Sequence, residues 1–209
     1  MTPPSIAKVT APQLLLASQS ESRRRLLSDA GVHYQAISAG VDEEMAKDAL
    51  VGEGVKPRDL ADALAELKAM RPSMRHPGAL ILGCDQTLEL ADGSLVNKCE
   101  TRGEARALLL GMSGTRHHLH CAAVIALNGT PIWRHVESVA LDVRLLSAAF
   151  IDSYLDSDWE QCRWCLGCYR IEGPGVQLFA KVSGSLFAVQ GLPLLPLLDF
   201  LRVRGVLEA

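Results

Sequence analysis

Asn128-Gly129 is the feature that most constrains this chain. It separates two long runs, 117–127 and 131–143, that read as strands. Asn-Gly is favoured where both central residues of a two-residue turn need positive φ, so the runs are expected to pair as an antiparallel hairpin. A second hairpin signal, Ala91-Asp92-Gly93, joins 88–90 to 94–96. A sheet with two hairpins cannot be purely parallel, and helical segments are interspersed among the strands. The expected fold is therefore α/β, a mixed sheet with flanking helices.

Apolar runs at 13–17, 32–37 and 79–83 read as further strands, as do 176–181 and 185–189. Helices are expected at 20–30, stopped by Gly31, and at 58–70, opened by Pro57 and closed before Pro72. Others are expected at 101–112, where Thr101 and Glu104 are spaced as a capping box, at 147–155 and at 192–202. Residues 39–56 are acidic, hold three glycines and have no clear period, which reads as a loop or lid. Residues 1–12 read as a disordered lead-in and 13–209 as a single domain, with no repeat and no dividing linker.

Composition narrows the function classes. Hydrophobic residues make up 48% and charged residues 22%, enough apolar material for a real core. No apolar run approaches the ~20 residues that span a membrane, and the start lacks a signal-peptide segment, so a cytoplasmic protein with no membrane partner is expected. A net charge of −3 argues against a chain that coats nucleic acid. The six cysteines are expected as reduced thiols.

Two local patterns point to chemistry. Arg23 and Arg24 sit in the first turn of a predicted helix, where the helix dipole disfavours cations. A bound anion there would meet free backbone N–H groups, the hydroxyls of Ser18 and Ser20, and guanidinium forks. The alternative is a solvated charged face. Asp85 follows the predicted strand 79–83, a common place for a catalytic carboxylate in α/β folds. It could bind Mg²⁺ or take a proton from water, or it could simply form a turn. Lys68 lies on the preceding helix and Lys98 across one hairpin; with Arg23 they could neutralise a triphosphate.

Two further patterns fit metals less well. Cys162, Cys165 and Cys168 have a C-x2-C-x2-C spacing seen in iron–sulfur and zinc sites, yet lack a fourth ligand, and a buried strand is the alternative. His118 and His120 share one strand face beside His117, with no acid near them in sequence.

Taken in order, several fragments resemble the Maf family of nucleotide pyrophosphatases. They are Leu14 to Leu27, Gly40-Val41-Asp42-Glu43, Leu64 to Ala69, Gly83-Cys84-Asp85-Gln86, Asn97-Lys98, Ser113 to His117, Glu172-Gly173 and Gly191 to Leu194. The resemblance covers Leu14 to about Leu201. It implies two lobes around a central cleft, and Mg²⁺- or Mn²⁺-dependent cleavage of a nucleoside triphosphate to monophosphate and pyrophosphate, by a homodimer. It also implies Asp85 as the base for attacking water, Glu43 as a catalytic or metal carboxylate, and Lys68, Lys98, Arg23, Arg24, Ser18 and Ser20 around the phosphates. Base selection falls to Ser22, Gln86 and Glu172.

The departures matter. Trp164-Cys165-Leu166-Gly167 stands where many members have Asp-Lys-Ala-Gly, so one phosphate cation is missing. Gln86, Cys165 and Glu172 resemble the branch acting on 7-methyl-GTP, although Ser22 replaces a larger residue there. The lost lysine keeps open a weakly catalytic nucleotide-binding regulator of cell division. The cysteine run keeps open a redox or metal protein.

Overall fold

The computed structural model describes residues 12–208. The expected lead-in lies, apart from Pro12, outside the described residues. The described residues form one α/β fold around a mixed seven-stranded sheet, as expected. Its strands are β1 (Leu14–Leu16), β2 (Gln35–Ala36), β3 (Leu80–Glu89), β4 (Leu95–Val96), β5 (Arg116–Leu127), β6 (Thr130–Val143) and β7 (Phe179–Ser183). The order is β2-β1-β3-β5-β6-β7, with β4 also on β3. β2, β1 and β3 run parallel, while β4 and β5 pair antiparallel with β3. The Asn-Gly turn forms as predicted: Asn128 and Gly129 take φ of 51° and 78° and join β5 to β6.

The sheet leaves one opening that matters. On the edge of β3 away from β5, β1 pairs with residues 80–82 and β4 pairs with residues 88 and 89. Among the described residues, no strand pairs with residues 83–87 of β3 on that side. The gap lies just beyond the carboxyl end of β1, where α/β sheets commonly receive ligands.

Seven helices flank the sheet among the described residues: α1 (Glu21–Asp29), α2 (Glu43–Gly52), α3 (Pro57–Ser73), α4 (Arg102–Met112), α5 (Ala148–Cys162), α6 (Leu186–Val189) and α7 (Leu194–Val203). α3 covers one face, where Ala61, Ala65 and Ala69 meet Ala122, Val124 and Ala126. Two clusters share the other face. Leucines of α1 and α7 pack over Leu80, Leu82 and Cys84, and residues of α4 and α5 pack with Leu88, Leu119 and Cys121. Strand alternation puts Gln86 between them.

Several expectations need correction. Residues 39–56 are not a loop: α2 forms there, N-capped by Asp42, whose side chain accepts from Met45 N. It has no buried residue, so no apolar period marks it. α3 does not stop before Pro72 but runs to Ser73. Pro72 stands one residue from the end of α3 and its ring is buried, so packing offsets the lost N–H bond and the crowding of the carbonyl four residues back. Residues 185–189 form α6, not a strand; Ser185 caps it, accepting from Phe187 N. Such short apolar runs fit either state. α5 runs seven residues past 155 because Asp158, polar in sequence, is buried against Arg170. Asp85 does not follow its strand but sits mid-strand in β3.

Candidate active site

Gly83 sets the site's geometry. A Cβ there would lie 2.2 Å from the Ala65 carbonyl oxygen and 2.5 Å from Ala69 N. α3 therefore rests with its backbone almost on β3. Lys68 projects from between those alanines, and Asp85 shares the Gly83 face of the strand two residues on. Lys68 is 5% exposed and Asp85 9% exposed. Lys68 Nζ reaches Asp85 Oδ1 at 2.5 Å and Glu43 Oε2, at the start of α2, at 2.7 Å. An ammonium this buried requires such partners.

The second wall comes from the turn between β1 and α1. Ser20 caps α1, its side chain accepting from Arg23 N. Ser18 Oγ accepts from Ser20 N and from Arg23 Nη1, both at 3.2 Å. Arg23 Nε donates to the Gly191 carbonyl at 2.7 Å, tying this turn to the start of α7. Gly191 has φ of 99°, a conformation that favours glycine. Backbone donors at a helix start, a hydroxyl and a guanidinium make an anion-binding corner.

These walls enclose a cleft of about 1350 Å³. Ser18, Ser20, Ser22, Arg23, Glu43, Lys68, Asp85, Gln86, Lys98 and Glu172 all line it. Residues far apart in sequence thus meet around one opening. Arg24 is not brought in: its Nη2 donates to the Ser18 carbonyl, and its buried Nε has no partner. Lys47, Tyr169 and Arg170 also line the cleft and were not singled out in the sequence, and Asn97 and Trp164, which line it too, stood out there only as members of motifs. Lys47 bonds to Asn97, tying α2 to the Lys98 loop. Arg170 donates Nε to Asp158 Oδ2 at 3.1 Å, which holds it at the wall. Its place two residues before Glu172 was the available signal for it.

Gln86 has a fixed orientation. Its Nε2 donates to the Ala188 and Val189 carbonyls at 2.9 and 3.1 Å. Both amide hydrogens are used, so Oε1 is the polar atom left to a ligand, as an acceptor.

The other marked residues play different parts. Cys162 is the buried last residue of α5, while half-buried Cys165 and buried Cys168 lie in the turns that follow it, so the run is not a strand. Burial, then the charge of Glu172, pushes the Cys165 thiol up to about 11. No group of three or more His, Cys, Asp or Glu that could hold a metal forms among the described residues. His120 does have an acid: Nε2 is 2.9 Å from Glu89 Oε2, and Nδ1 is 2.7 Å from Ser138 Oγ. The sequence hid Glu89 because strand pairing alone brings it near. No helix among the described residues is long and apolar enough to cross a membrane.

The profile of the family described as Maf-like protein matches residues 13–204. The chain is 52% identical over 192 residues to a nucleoside triphosphate pyrophosphatase of Caulobacter vibrioides, covering 92% of this chain and 96% of that one. It is 48% identical to one from Sphingopyxis alaskensis, covering 92% and 98%. With one from Ruegeria pomeroyi it shares 47% identity, covering 93% and 98%.

Proposed function

This chain belongs to the Maf-like protein family, and on that premise we propose that it hydrolyses a nucleoside triphosphate to the monophosphate and pyrophosphate. The observation that carries the reading is the Lys68–Asp85 pair, set into a cleft beside the Ser18–Arg23 anion corner. Water attacks the α-phosphorus, its proton passes to Asp85, and the bond to the α–β bridging oxygen breaks. Pyrophosphate leaves. Lys68 holds the Asp85 carboxylate in place, while Arg23 and Lys98 offset charge on the departing group.

Glu43 and Asp85 have the hard oxygen donors that suit Mg²⁺ or Mn²⁺, which commonly takes one or two carboxylates plus substrate phosphates. Lys68 takes one oxygen of each, so the pair fits such an ion through the remaining oxygens. When bound, the ion supplies further neutralisation of the triphosphate.

The base is a guanine, with 7-methyl-GTP the favoured substrate. Gln86 Oε1 and the Glu172 carboxylate are both acceptors in the cleft wall, matching the N1–H and N2 amino donors of guanine. A carboxylate also favours the positive charge of a methylated base. A homodimer, implied by the family resemblance, and a cytoplasmic location complete the proposal.

A panel of ordinary and modified triphosphates with Mg²⁺, read separately for monophosphate, pyrophosphate and orthophosphate, tests this. Pyrophosphate is the expected product. Orthophosphate release, or no turnover of any triphosphate, would overturn the reading.

A further inference from the structure

We infer that Trp164 is the stacking platform for a purine base in the cleft, an inference that rests on the nucleotide reading above. The other two tryptophans are packed: Trp133 stacks on Phe200, and Trp159 packs against the core of α4 and α5. Trp164 is 68% exposed, yet it contributes to the cleft wall with Gln86 and Glu172. What distinguishes this ring from the other exposed apolar side chains is its place in the cleft wall beside Gln86 and Glu172, where a stacked base would remove its surface from solvent.

The ring is also held. It sits in the turn after α5, where Cys165 N bonds the Cys162 carbonyl. Two successive left-handed residues, Gly167 at φ 84° and Cys168 at φ 55°, fix the path that follows. A Cβ on Gly167 would lie 2.6 Å from Tyr169 Cε1 and 2.8 Å from Leu88 Cδ1, so the turn is seated tightly on the core. The Arg163 guanidinium lies 5.0 Å from the Trp164 ring centroid and 5.4 Å from that of Trp159. This layer steadies the indole from one side, and no aromatic ring packs on Trp164 among the described residues. A base inserted there would stack on the indole and present its edge to the two acceptors. Purines offer more stacking surface than pyrimidines, so the residue favours purines.

The test uses the full chain with Mg²⁺ and three probes: α,β-methylene-GTP, α,β-methylene-UTP and inorganic tripolyphosphate. Calorimetry gives Kd for the wild type, Trp164→Ala and Trp164→Phe. The expected result is about tenfold weaker binding of the GTP analogue by Trp164→Ala, a smaller loss for the UTP analogue and none for tripolyphosphate. Trp164→Phe restores most of the affinity, and indole fluorescence quenching by the GTP analogue disappears in both variants. Unchanged GTP-analogue affinity in Trp164→Ala, or equal weakening of tripolyphosphate, would overturn the stacking role. A wild type that binds neither analogue would instead overturn the nucleotide reading of the cleft, and the stacking role with it.

Discussion

Lys68 Nζ stands 2.5 Å from Asp85 Oδ1 and 2.7 Å from Glu43 Oε2, one buried ammonium shared by two carboxylates from different elements. Replacing Lys68 by Met leaves Asp85 buried without its cation. We expect a loss of about 3 kcal/mol in denaturant unfolding, the cost of breaking a buried pair from one side. Adding Asp85→Asn to that variant should recover part of the loss. Strict additivity of the two changes would mean that the pair is not coupled.

Asp85→Asn alone tests the chemistry. The amide cannot take a proton from water, so triphosphate turnover should fall about 10³-fold, within the range of general-base contributions. Circular dichroism should stay near wild type, because the shape is kept. Retention of a tenth or more of wild-type kcat would remove Asp85 from the base role.

Gly83→Ala should damage the same site with no change of charge. Its new Cβ meets the backbone of α3 at 2.2 and 2.5 Å, and backbone cannot rotate aside as a side chain can. Overpacking of this kind costs on the order of 3 kcal/mol and shifts Lys68 away from Asp85. A wild-type melting temperature in this variant would show that the approach of α3 to β3 is looser than described.

The Gly83 contact also illustrates what a sequence hides. The hairpins and most strands and helices were legible because their signals are local: Asn128-Gly129 specifies its own turn, and Thr101 its own cap, accepting from Glu104 N, whereas residues 176–178 of an expected strand lie in a 3-10 helix, Pro174–Leu178. Yet Glu104 Oε2 accepts from Glu100 N, one residue earlier than the capping box predicts. α2 was illegible because it buries nothing and so has no apolar stripe. Asp85, Lys68 and Arg23 stood out through their residue types and the resemblance. That Arg23 anchors on Gly191 and that Gln86 is fixed by Ala188 and Val189 depend on contacts across more than a hundred positions. No spacing rule reaches so far.

Glu172→Gln should alter base choice. It replaces a pure acceptor with a group that also donates, so it weakens a match to guanine donors. We expect kcat/KM for guanine triphosphates to fall about tenfold relative to UTP, near the size of one hydrogen bond to a charged group. An unmoved ratio would sink the assignment of Glu172 to the base.

His117 gives the fold a pH dependence that can be isolated. It is fully buried, Nε2 lies 2.8 Å from Tyr169 Oη, and Nδ1 has no partner. Burial, then the nearby His118, lowers its pKa from 6.5 to about 4. Above pH 6.5 the ring is neutral both folded and unfolded, so its titration leaves stability unchanged there. As pH falls from 6.5 toward 4, the unfolded chain takes up the proton first, and stability is lost across that window. The loss levels off below 4, at roughly 3 kcal/mol. His117→Asn removes the titration but keeps a polar group beside Tyr169. Urea unfolding of both proteins between pH 7 and pH 4 should show a steeper decline in the wild type, since their carboxylates titrate alike. Parallel declines would mean that the imidazole protonates as readily folded as unfolded, and that the buried His117–Tyr169 contact does not favour the neutral ring.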